Sequence, residues 1–291
     1  MEVFRTGQYD ISDLERLQEI QPLEYAKRTI LKRLNYLLGY IKKEKPEILN
    51  SFVTRLTNQI NQFLKTSFSK EQNIDFAELS KDFIHLKVFP ELLSACFDYY
   101  LHLLDFSSNR NWIQDKIKIP KRNYIQSFLY HRYYNVKILT EIIERNTAID
   151  LFKGYIDAYV KSISAGRSKY ETLEEFRNAR IPKDDDSPSI GWVIVQGVIE
   201  NGKFPQRKDT CMWKDAITNL TDIELKYLAA CYGDFQGYNN SNENFILTME
   251  HTIVEGYPYC DCVLHDIRIN KDLIHPSKEF FDNMWSLKEQ Q

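Results

Sequence analysis

Trp192-Val193-Ile194-Val195-Gln196-Gly197-Val198-Ile199, followed by Glu200-Asn201-Gly202, is the stretch whose reading decides the fold. Its β-branched residues suit a pleated, half-buried surface, so a strand is expected over 192–199. Asn201-Gly202 is the pair that a two-residue hairpin turn favours, because both of its central positions take positive φ. A returning strand is expected over 204–213, weakened at its start by Pro205. Just upstream, Lys183-Asp184-Asp185-Asp186-Ser187-Pro188 is charged and contains a breaker, and a domain boundary is expected there.

Before that boundary the pattern is helical. Leu23, Ile30, Leu34, Leu37, Leu38 and Ile41 form one apolar stripe between Pro22 and Pro46. Leu49, Phe52, Val53, Leu56, Ile60, Phe63 and Leu64 form a second. A third opens at Pro90 and runs through Leu93, Cys96, Phe97, Tyr100, Leu101 and Leu104. Residues 107–123 are polar and basic and predict a loop. Helix is expected over 124–145 and 147–164, with Gly166 as a stop signal, and over 171–179 before Pro182.

Past the boundary, Thr221-Asp222-Ile223-Glu224 has the form of a capping box and predicts a helix to Tyr232, ended by Gly233. Residues 245–254 and 259–269 predict two more strands, joined by Glu255-Gly256-Tyr257-Pro258. The expected fold class is α+β. A helical N-terminal region (1–182) packs on a small antiparallel sheet with one or more helices (183–291).

Composition narrows the function classes. Hydrophobic residues at 43% and charged residues at 27% are the proportions of a globular chain, not a disordered one. The net charge is −3 and no basic stripe dominates, so no nucleic-acid partner is expected. No apolar run reaches bilayer length, and Met1-Glu2-Val3-Phe4-Arg5-Thr6-Gly7 lacks the apolar core of a secretory signal. Five cysteines, an odd number, fit reduced thiols and a cytoplasmic location. The 13% aromatic content reads as half-buried helix surface with hydroxyls reaching water.

Cys211, Cys231, Cys260 and Cys262 cluster near the C-terminus, together with His251, His265 and His275. Cys96, on an apolar helix face, reads as a buried hydrophobe. If 255–258 is a four-residue loop, Ile253 pairs with Cys260 and His251 with Cys262. His251, Cys260 and Cys262 then share one face, and Asp261 and His265 point to the other. A thiol beside an imidazole is the arrangement that yields a reactive thiolate. Zinc held by Cys260 and Cys262 with Cys211, Cys231 or His251 is the competing reading, although the usual Cys-x-x-Cys spacing is absent. Asp82-x-x-His85 stands alone and makes no di-metal bundle. No Gly-rich phosphate loop and no Gly-x-Ser-x-Gly elbow occurs.

Residues 211–266 resemble the L-2-amino-thiazoline-4-carboxylic acid hydrolase family. The resemblance rests on Cys211, on Ile223-Glu224-Leu225 leading to Cys231-Tyr232-Gly233-Asp234, on Thr248, and on Gly256-Tyr257-Pro258-Tyr259-Cys260-Asp261. The family favours an aromatic residue after Cys-Asp, where this chain has Cys262. The resemblance implies hydrolysis of a carbon–nitrogen bond in a small cyclic amidine, with ring opening to a carbamoyl amino acid; relatives with ring-closing chemistry are also implied. The Gly-x-x-x-Cys ending is similar as well to four-vinyl-reductase-type ligand-binding domains, and a non-catalytic small-molecule sensor is the alternative.

The resulting expectation is an enzyme with Cys260 as nucleophile and His251 as general base. Asp234 and Asp261 orient the base or bind a substrate amino group. Cys211, Cys231 and Cys262 line the site. The site is expected between the two regions, with Tyr130, His131 and Tyr134 contributing from the helices. The partner is a small molecule, and no cofactor is expected outside the zinc alternative.

Overall fold

The structure, a computed structural model, describes residues 3–64, 75–105, 116–163, 169–181 and 191–285. In chain order its elements begin β1 (Phe4–Thr6), β2 (Leu17–Ile20), α1 (Pro22–Tyr25), α2 (Lys32–Glu44), α3 (Leu49–Leu64), α4 (Phe76–Ser80) and α5 (Pro90–Leu103). Next come β3 (Ile117–Pro120), α6 (Lys121–Ile142), α7 (Arg145–Ser162), α8 (Leu173–Asn178), β4 (Ile194–Gln196) and β5 (Lys203–Lys208). The chain ends with α9 (Met212–Ala216), α10 (Ile223–Ala230), α11 (Gly233–Asn239), β6 (Phe245–Met249), β7 (Cys260–Asp266) and α12 (Lys278–Asp282). This is an α+β fold. It divides into two compact units, Leu14–Tyr159 and Met1–Asp13 with Val160–Gln291.

The first unit is helical, and its apolar stripes become its buried faces. Leu34, Leu37, Leu38 and Ile41 are buried on α2, and Phe52, Leu56 and Ile60 on α3. The spacing of three and four puts each set on one side of its helix. A π-helical turn over Ala26–Leu31 joins α1 to α2. Pro90 opens α5 at a position where its missing N–H has no helical partner to lose. Fully buried Phe52, Phe97, Tyr100 and Phe152 contribute roughly 1.5–3 kcal/mol each by leaving water. The loop expected over 107–123 is corrected at its end. Ile117–Pro120 pairs antiparallel with β2, and α6 starts at Lys121. Residues 107–115 of that stretch, Gly166, Pro182 and the 183–188 boundary segment lie outside the described residues.

The second unit is built on a five-stranded antiparallel sheet of order β1-β4-β5-β7-β6. The hairpin turn forms where Asn201-Gly202 predicts it, with φ of 50° and 70°. A fifth strand joins the four expected ones, because Phe4–Thr6 pairs along β4, Arg5 opposite Val195. The division falls at residues 13/14 and 159/160 instead of at 182/183. The reason is packing. Helix α8, capped by the Thr172 hydroxyl, buries Leu173 and Phe176 against Phe204, Phe245 and Leu264 of the sheet. Helix α10 is capped by Asp222, not Thr221, and its carboxylate accepts the Leu225 N–H at 3.2 Å. Gly233 opens α11 where it was expected to end a helix. Among the described residues no helix is long and apolar enough to cross a membrane.

Candidate small-molecule site

Alternation along β7 gives the sheet two chemically different faces. Cys260 and Cys262 pack with Leu247, whereas Val263 packs on the other side with Val3, Val195 and Phe281. The ladders extend the thiol face: Lys208 lies opposite Cys260, Gln206 opposite Cys262, and Gln196 opposite Gln206. Phe235 and Tyr238 of α11 pack against this cluster. On this face is a cavity of about 490 Å³. Gln196, Gln206, Lys208 and Cys260 line it from the sheet, and Cys211, Cys231, Asp234 and Tyr238 from the helices and their ends. Trp192 and Trp213 add aromatic wall.

Every lining residue belongs to the sheet unit. The expected cover from the helical region is therefore corrected: α11 of the sheet unit itself packs against the cluster of Leu247, Cys260 and Cys262. Tyr130, His131 and Tyr134 lie on α6 and line no part of the cavity. His131 is buried edge-on to Tyr99, with ring centroids 5.1 Å apart.

The cavity holds one close charge pair. Lys208 Nζ lies 3.3 Å from Asp234 Oδ2, with side chains 19% and 41% exposed. Burial disfavours the ammonium, but the facing Cys262 and Asp234 outweigh it and raise Lys208 well above the ordinary lysine value. Burial also dominates the thiols. It raises Cys211, Cys231 and Cys260 above the ordinary thiol value and pushes Cys262 up to about 11, against the opposing pull of Lys208. Cys260 Sγ accepts the Ile253 N–H at 3.3 Å. All four thiols are thus protonated at neutral pH.

His251 is not beside them. Strand β6 ends at Met249, which takes the place opposite Cys262 expected for His251. The chain then leaves the ladder. The Thr252 hydroxyl accepts the Glu255 N–H at 3.2 Å, Ile253–Glu255 forms a single 3-10 turn, and Gly256 closes it at φ 98°. His251 consequently meets Asp261 on the opposite face, Nδ1 to Oδ2 at 2.5 Å. The Asp261 Oδ1 accepts the backbone N–H of Glu250 and of His251 at 2.9 and 2.8 Å. Neither the His251–Cys260 dyad nor a role for Asp261 beside the thiols is formed.

No family model matches the chain, and no curated protein or solved structure matches it.

The face opposite the cavity carries a connected polar chain. His275 Nε2 lies 3.5 Å from Asp261 Oδ2. Thr248 Oγ1 is 2.8 Å from both His275 Nδ1 and His265 Nε2, and His265 Nδ1 is 2.8 Å from Asn270 Oδ1. Burial works to raise the Asp261 pKa, but the bonds from His275 and His251 prevail and hold it below the usual carboxylate value. Burial lowers His265. Among the described residues no group of three or more His, Cys, Asp or Glu side chains converges as a metal site.

Sequence reasoning brought Cys211, Cys231, Cys260 and Asp234 to one cavity and missed Gln196, Gln206 and Lys208. The signal for the last two was alternation. Phe204, Gln206 and Lys208 share one side of a strand, and two inward polar positions on a buried strand mark a wet lining.

Proposed function

We propose that this cavity binds a small amino-acid-derived heterocycle, a cyclic amidine carrying a carboxylate, and opens it hydrolytically at a carbon–nitrogen bond with Cys260 as the nucleophile. The supporting observation is the Lys208–Asp234 pair in the same cavity as the Cys260 thiol. Lys208 offers an ammonium to the ligand carboxylate, and Asp234 offers a carboxylate to its amidinium. The resemblance of residues 211–266 to the thiazoline-carboxylate hydrolases supports the same ligand class.

A protonated thiol is a weak nucleophile, so activation falls to the substrate. A bound amidinium adds positive charge beside Cys260 and favours its thiolate. Asp234, in place of His251, accepts the thiol proton. The thiolate attacks the amidine carbon, the bond to the ring nitrogen breaks, and that nitrogen leaves with the proton that Asp234 took from the thiol. Water then releases the carbon from sulfur as an amide. The raised thiol pKa values favour a second reading, a binding module without turnover.

Intact-protein mass spectrometry after brief iodoacetamide treatment tests the nucleophile. Cys260 is expected to alkylate faster than Cys96, and faster again with an amidine bound; equal rates for the two thiols defeat the assignment. Cys260→Ser is expected to abolish turnover and keep binding. Turnover that survives this change points away from a thiol mechanism. Binding of the amidine by the wild-type protein without any turnover leaves the sensing module.

A further inference from the structure

Two glutamines on the cavity floor each keep one amide atom unpaired. Gln196 is 1% exposed and Gln206 2%. Gln196 Nε2 donates to Thr6 Oγ1 at 2.9 Å, and Gln206 Oε1 accepts the Tyr238 hydroxyl at 3.3 Å. Gln196 Oε1 and Gln206 Nε2 have no partner among the described residues, although both are buried and both side chains line the cavity. Buried polar atoms are almost always hydrogen bonded, and leaving one unpaired costs its full desolvation. Thr6 and Tyr238 fix the two side chains, so the free atoms are held in place, not mobile.

The pair is also complementary. Gln196 and Gln206 are direct partners across the β4–β5 ladder, so their side chains start about 5 Å apart on one face. One presents an acceptor and the other a donor. A carboxylate needs two donors and does not match; a hydrocarbon matches neither. The group that satisfies both atoms is neutral and planar, with an N–H and a carbonyl oxygen on the same edge. A lactam, a primary amide and a ureido group share that edge.

We infer that Gln196 and Gln206 form a subsite for a lactam-type amide edge on the ligand, distinct from the end of the cavity that holds the charge pair. Lys208 is two residues beyond Gln206 on the same strand face, about 7 Å away. The cavity, about 490 Å³, is of the size that takes drug-sized ligands and leaves room beyond a single small ring. The ligand is therefore bipartite: a charged end at Lys208 and Asp234 beside Cys260, and a neutral amide end at the glutamines. Only the identity of the charged end rests on the function proposed above.

Side-chain amide resonances of Gln196 and Gln206 in the ¹⁵N-labelled full chain give the test. The probes are 2-pyrrolidinone, which presents N–H and C=O on one edge, and N-methyl-2-pyrrolidinone, which lacks the donor. The unmethylated lactam is expected to shift both side chains and to bind at least tenfold more tightly than the methylated one. Gln196→Leu is expected to erase that preference, and Gln206→Leu to weaken both lactams alike. Equal affinity for the two probes, or no shift of either side chain, overturns the subsite, and it does so on wild-type protein whether or not the variants fold. The probes carry no amidine, so this outcome is separate from any failure of the ring-opening reading.

Discussion

In the helical unit His131 is 7% exposed, its Nε2 has no partner among the described residues, and burial alone draws its pKa down to about 3. In the sheet unit His265 is buried more deeply, yet both of its ring nitrogens are hydrogen bonded, to Thr248 and Asn270. The same contrast separates the thiols. Cys96 is raised by burial and nothing else, whereas Cys262 is also pulled by Lys208 and Asp234. In the helical unit His131 and Cys96 sit singly in apolar and aromatic packing. In the sheet unit His265 is tied to Thr248, Asn270 and, through Thr248, His275. Side chains whose positions are fixed by several partners are the ones that can hold a ligand in a set geometry, and this is why the candidate chemistry sits on the sheet.

The largest test of the contrast is Asp261→Leu. It leaves two backbone N–H groups and His251 without their acceptor and removes the carboxylate 3.5 Å from His275, and a loss of about 3–5 kcal/mol in urea unfolding is expected. A loss under about 1 kcal/mol would show the network to be decorative and erase the difference between the units.

Acid sharpens the comparison next. The folded pKa of His131, about 3, lies below its unfolded value of about 6.5, so the unfolded chain binds the extra proton in that window. Its contribution is complete above pH 6.5 and is lost as pH falls toward 3, with a slope of up to about 1.4 kcal/mol per pH unit. His265 is shifted the same way and adds to the slope. Asp261 acts lower: its pKa is depressed, so its contribution is intact above about pH 4 and is lost as pH falls through the folded value. Urea midpoints between pH 3 and 7 are expected to flatten in His131→Phe. An unchanged slope would mean that His131 is solvated.

The smallest effect is at Cys96. Cys96→Ala removes one buried sulfur from apolar packing and is expected to cost about 1 kcal/mol. Lactam binding in the sheet cavity is expected to stay unchanged, measured by calorimetry with 2-pyrrolidinone.

Legibility in the sequence followed the range of the forces involved. The stripe Leu34, Leu37, Leu38, Ile41 could be read because burial of a helix face is written in local spacing. Asn201-Gly202 could be read because positive φ favours those residues locally. β1 could not, since three residues carry no pattern and their partner strand lies about two-thirds of the chain away. The His251 error came from a real signal read too far. Thr252-Ile253-Val254 is β-branched and looks like strand, but Thr252 caps a turn and Gly256 ends it, so the ladder stops at Met249. A slip of that kind moves a side chain to the other face. Gln196 was hidden for a related reason: which side of the three-residue β4 faces inward depends on partners that no local pattern names.

The pairing of β1 with β4 has a consequence for how the chain is made. Gln196 and Thr6, hydrogen bonded on neighbouring strands, are 190 residues apart. The ribosome releases Leu14–Tyr159 as one uninterrupted piece before any partner of β1 has been synthesised. The helical unit, whose residues form one uninterrupted segment, is therefore the part placed to collapse first. The sheet is finished last, when its opening strand is captured by a hairpin made more than half a chain later. Loop closure grows only logarithmically with length, so the delay costs little free energy; it costs time. A waiting strand of three residues is also too short to template pairing with another chain, and that brevity makes the delay tolerable.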